Sequence, residues 1–123
     1  MSASTSRLSE VFGAEYEEMA SHQNYDVPCA VCVTPLSITI MVPATLTCPA
    51  GWTSHYNGYL TGGRHDHPSA TDFLCLDANP QNVGTDENYD GKLFYYTVSK
   101  CGSLPCPPFI EGRVVTCVVC SKK

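Results

Sequence analysis

The alternation of apolar and polar positions changes character near residue 26 of the chain. Ahead of that point, MSASTSRLSE is polar. Leu8, Val11 and Phe12 then have a helix-like spacing, which Gly13 interrupts. Residues 1–26 therefore read as an N-terminal arm and a candidate interface segment. From Val27 onward, short β-branched and aromatic runs dominate: CAVCV (29–33), SITIMV (37–42), FLCL (73–76), LFYYTV (93–98) and GRVVTCVVC (112–120), with Pro35 separating the first two. Within TSHYNGYLT (53–61), Asn57-Gly58 predicts a two-residue hairpin, because both residues tolerate positive φ. Asp90-Gly91 predicts a second hairpin ahead of the strand from Leu93 to Val98. About seven short strands at this spacing predict an all-β fold, a small disulfide-stapled antiparallel sandwich or barrel-like domain over residues 27–123.

Composition adds a compartment to this picture. Eight cysteines, nine glycines and nine prolines in 123 residues fit an oxidised, loop-rich extracellular domain. The opening residues contain no apolar leader core, so a secreted origin places the leader outside this chain. The net charge is -5 and the seven Lys and Arg are scattered, which argues against nucleic acid as a partner. The run around Ile38 to Val42 is too short to cross a bilayer as a helix. No phosphate loop, nucleophile elbow or paired-carboxylate signature stands out, and the expected role is non-enzymatic.

Two Cys-x-x-Cys pairs, Cys29/Cys32 and Cys117/Cys120, admit three readings. A zinc site would use them as two knuckles, but both sit in β-branched runs rather than Gly-rich turns. A redox pair would stand at a helix N-terminus, and neither does. Disulfide anchors fit best: residues three apart on a strand face opposite sides, so each pair can staple two different neighbours. Cys48, Cys75, Cys101 and Cys106 complete the set, and the tight loop CGSLPC lets Cys101 and Cys106 bridge each other. Spacing does not settle the rest of the connectivity.

Aromatic and histidine side chains supply the candidate ligand surface: Trp52, His55, Tyr56, Tyr59, His65 and His67. Flat rings stack on other rings and on the C–H faces of sugars. His65 and His67 form a His-x-His, which on a strand places both imidazoles on one face, a geometry metals accept. Asp86, Asn88 and Asp90, followed by Gly91, match the opening of a calcium loop, but Thr97 stands where the closing acid belongs. An acidic turn is the plainer reading, so these are weak calcium candidates.

The blocks YDVPCAVC, CPAGWTSHYNGYL, FLCLDANP, GKLFYYTV and KCGSLPCPPFIEGRVVTCVVCSK occur in this order. Together, over roughly residues 12–122, they resemble the C-terminal non-collagenous domain of sponge-type short-chain collagens. The resemblance implies an extracellular, disulfide-rich, non-enzymatic matrix or binding domain, and brings no catalytic residues. That domain is a pseudo-repeat of two halves, and only the counterpart of its second half is present, with no Gly-x-y repeat. Two functions are expected from this. One is a lectin-like matrix interaction module meeting glycans or matrix components. The other is a carrier of an apolar small molecule, such as a carotenoid pigment, held between two chains. The missing half also implies a homodimer, or a heterodimer with a first-half-like subunit, through residues 8–33, with Cys29 or Cys32 bridged between chains or close to it.

Overall fold

A computed structural model describes residues 11–67 and 71–123. It is a small all-β domain stapled by three disulfides, with six strands in one mixed sheet. The strands are β1 (Ala14–Tyr16), β2 (Ile38–Pro43), β3 (Thr53–Gly62), β4 (Leu74–Asp77), β5 (Lys92–Tyr96) and β6 (Thr116–Lys122). Their order is β1-β5-β3-β6-β2, with β4 paired to the remaining side of β3. All pairings are antiparallel except β1 with β5, which makes the sheet mixed rather than wholly antiparallel.

Strand β3 corrects the first predicted hairpin. It runs unbroken through Asn57 and Gly58, where an Asn-Gly turn was expected. Gly58 serves a different need. A Cβ at this position would lie 1.7 Å from the Leu76 carbonyl oxygen, so the absent side chain is what lets β4 approach. The need arises from curvature. In a flat sheet the two neighbours of β3 would stand roughly 9.6 Å apart, twice the usual strand spacing. Cys75 on β4 and Cys117 on β6 are bonded with their Cα atoms 5.8 Å apart. Strand β4 is therefore rolled over the face of β3 at Gly58, giving the sheet a barrel-like curl. The second predicted turn forms as a turn but joins no hairpin: Asp90 and Gly91 both have positive φ and lead into β5, whose parallel neighbour is β1.

Strand β6 lies between β3 and β2, and Cys117, Val118, Cys120 and Ser121 are fully buried. The predicted division of labour holds here. Cys117 bonds Cys75 and Cys120 bonds Cys48, so residues three apart staple opposite faces of one strand. Cys101 and Cys106 close their own loop, as their spacing suggested.

Two expectations fail. CAVCV forms no strand: residues 28–33 are exposed, and the backbone of residues 28–35 makes no hydrogen bond among the described residues. β-Branched composition favours a strand only where a neighbour completes the ladder, and none is present here. Residues 11–26 are also more than an arm. Tyr16, Met19 and Phe94 form a buried cluster packed by Ala14, Tyr25, Val27, Leu76 and Tyr96, so this segment supplies two of its three buried members. Within the expected 8–33 interface, Glu15–Glu17 and Met19 are buried in the fold, while residues 11–13 and 28–33 are exposed. Leu8 lies outside the described residues.

Candidate functional site

The rolled-over β4 creates the main concavity. A cleft of about 750 Å³ opens between β4 and the segment Val27–Ala30. Its apolar floor comes from four strands: Tyr16 of β1, Tyr56 of β3, Leu74 and Leu76 of β4, and Phe94 of β5. Both tyrosines are anchored at their polar ends. The Tyr16 hydroxyl donates to the Gln81 carbonyl at 2.8 Å, and the Tyr56 hydroxyl donates to the Cys75 carbonyl at 2.8 Å. Anchoring the hydroxyls fixes the rings and leaves their apolar bodies to line the cleft. Burial, with Cys29 and Asp77 adding to it, pushes both phenols above their ordinary value, so they remain neutral donors. Asp77, Asn79 and Gln81 supply a polar rim, and the Asn79 amide donates to Asp77 Oδ1 at 2.8 Å, closing a short turn.

Of the six residues expected to bind ligand, Tyr56 alone lines this cleft. The others are strung along β3 and beyond both its ends. Trp52 stands just ahead of the strand under the Lys122 ammonium, 5.9 Å from the ring centroid. His55 Nε2 lies 2.6 Å from Ser121 Oγ, which also meets Thr39 Oγ1 at 2.8 Å. Ser121 is fully buried while Thr39 and His55 are exposed, so this relay ties β2, β3 and β6 together. Tyr59 stacks edge-on with Tyr96, centroids 5.4 Å apart, and His67 meets Tyr95 at 6.0 Å. His65 is exposed in the turn after β3. Because β3 is continuous, His55 and Gly62 are separated by up to roughly 23 Å, seven residues at the usual strand rise. The three histidines therefore do not converge.

The weak calcium candidates are also rearranged. Asp90 comes within ligand distance of Glu15 and Glu17, not of Asp86 and Asn88. Glu15 is already engaged, accepting the amides of Tyr89 at 3.0 Å and Asp90 at 3.1 Å, and Glu17 accepts from Gln23 Nε2 at 2.5 Å. The Glu15 carboxylate thus satisfies the backbone of the Asp90 turn, and Glu17 is held by the Gln23 side chain.

Cys29 and Cys32 form no bridge within the chain and are exposed, while the other six cysteines pair among themselves as expected. Cys29 lies on the cleft wall, beside both anchored tyrosines. Sequence reasoning missed Tyr16, Phe94 and the Asp77–Gln81 rim. The signal available for the rim was the turn chemistry of DANP directly after a strand. No protein-family model, no curated protein and no solved structure matches the chain. The likeness to the short-chain collagen domain rests on its residue blocks.

Proposed function

We propose that the chain is a non-enzymatic extracellular binding module of the short-chain collagen type, lectin-like, taking its ligand in the β4 cleft. The observation that carries this reading is the cleft itself: the anchored Tyr56 ring, 37% exposed, over a buried aromatic floor, with Asp77, Asn79 and Gln81 on the rim. A sugar presents the matching pair of surfaces, C–H faces for rings and hydroxyls for amides and carboxylates. Three disulfides support a secreted origin, since such bridges persist in oxidising compartments. No helix among the described residues is long and apolar enough to cross a membrane. The test is a glycan array probed with the intact chain and with Tyr56→Ala. Binding lost in the variant supports the reading; binding to no glycan sinks it.

A second reading has an observation of its own. The cleft floor is largely apolar, and its wall is the segment Val27–Ala30, whose residues 28–30 pair with no described backbone and lead into the fully exposed Val31 and Val33. A carrier of an apolar small molecule, such as a carotenoid held where a second chain covers that wall, fits this arrangement. A visible absorption spectrum of native material separates it from the sugar-binding reading. In both readings the chain works beside a second chain, identical or distinct.

A further inference from the structure

The sheet has three edge strands, β1, β2 and β4; β4 borders the cleft, and of the other two only β1 is covered. The outer side of β1 is occupied by residues 25–27, through the Tyr16 amide to the Tyr25 carbonyl and the Val27 amide to the Ala14 carbonyl. Strand β2 pairs with β6 along one side and, among the described residues, with no strand on the other. That ladder is regular from Ile38, opposite Lys122, to Pro43, opposite Cys117, with no bulge to twist the edge away. Natural edge strands are guarded by charge, proline, bulges or covering loops. Here only Pro43, at the last position, acts as a guard. Ile38 and Ile40 point to one face and are 50% and 37% exposed.

Charge distribution selects the occupant. From Val27 to Gly63 the sequence contains no Asp, Glu, Lys or Arg, and every charge behind the net -5 lies outside that run. Two copies with the same net charge meet with least repulsion along this run, the longest uncharged stretch of the chain. The strand is also self-complementary about a two-fold axis. A register centred on Ile40 places it against Ile40 of the second copy and pairs Ile38 with Val42, apolar against apolar across the seam. Pro43 then falls just outside the paired stretch, where its missing N–H costs nothing.

We infer that β2 is the seam of a homodimer, in which two copies join edge to edge into one continuous sheet. This rests on the proposed function only in having the chain work beside a second one; it specifies an identical copy and seats it at β2, not over the cleft wall. Residues of β2 do not line the cleft, so association leaves ligand access unchanged. The test is light scattering on the full chain from micromolar to millimolar concentration, with Ile40→Lys and Ile38→Lys as separate variants. Wild type should have twice the 13.3 kDa chain mass, and each variant should fall to 13.3 kDa. Each variant should keep its far-ultraviolet β signature and its three disulfides. Ile38 is the more exposed of the two, so its variant keeps the test intact if Ile40→Lys misfolds. A wild-type mass of 13.3 kDa throughout, a wild-type mass above that of a dimer, or a folded Ile38→Lys that stays dimeric overturns the inference. Glycan binding by the monomeric variants, measured in parallel, reports on the cleft separately.

Discussion

Gly58→Ala tests the curl that builds the cleft. The new methyl group would sit 1.7 Å from the Leu76 oxygen, 2.7 Å from its carbonyl carbon and 2.8 Å from the Ala78 nitrogen. All three are backbone atoms, so no side chain can rotate aside. Ordinary contact needs 3.4 Å, and β4 must retreat by about 1.7 Å, the difference between the two distances. A shift of that size breaks hydrogen bonds in the β3–β4 ladder, which pairs Gly58–Thr61 with Asp77–Leu74. The Cys75–Cys117 bridge meanwhile holds β4 down, so strain cannot be released by detaching the strand. Two lost bonds at about 1 kcal/mol each, with an overpacking term of 1–3 kcal/mol, give a destabilisation of about 3–5 kcal/mol. For a domain of this size that is a fall in Tm of roughly 12–20 °C. Thermal melts of the oxidised protein measure it, with Gly13→Ala as control, because a Cβ at Gly13 meets nothing within 4 Å. A Gly58→Ala protein that melts within about 2 °C of wild type, well inside the spread of ordinary surface substitutions, refutes the close-approach argument.

Other consequences can be checked independently. Removing bridges as double Cys→Ser variants should cost about 4 kcal/mol for Cys48–Cys120 and for Cys75–Cys117, but about 2 kcal/mol for Cys101–Cys106, following the length of loop each closes; denaturant titrations that rank the six-residue loop first would contradict this. Alkylation of the folded, non-reduced protein should label at most Cys29 and Cys32, and mass spectrometry finding four or more labelled thiols would break the disulfide assignment. Tyr16→Phe should cost about 1 kcal/mol by leaving the Gln81 carbonyl without its donor, measured by chemical denaturation. The hydrogen bond from Lys100, with the Cys101 amide, holds the Glu111 carboxyl below its ordinary value. This tie is therefore present at neutral pH and is lost as pH falls through that lowered pKa. The Cys101 amide resonance should shift only below the ordinary glutamate range of about pH 4.3; a midpoint at or above that value would contradict the contact.

Periodicity and cysteine chemistry made much of this protein legible without a structure. SITIMV, FLCL, LFYYTV and TCVVC became strands, because alternation and β-branching report a residue's own neighbours on a pleated surface. Cys117 and Cys120 stapling opposite faces followed from strand geometry alone. What remained hidden depends on contacts between segments far apart in the chain. Asn57-Gly58 has the local chemistry of a turn, yet tertiary pressure from β4 recruits its glycine for close packing in the middle of a strand. CAVCV has the composition of a strand but no ladder to join. The polar N-terminal segment gave no sign that Tyr16 and Met19 would be core residues, since two apolar positions three apart carry little periodic signal. The cleft was hidden for the same reason. Its floor is drawn from β1, β3, β4 and β5, and only the curl imposed by Gly58 and the Cys75–Cys117 bridge brings those strands around one space.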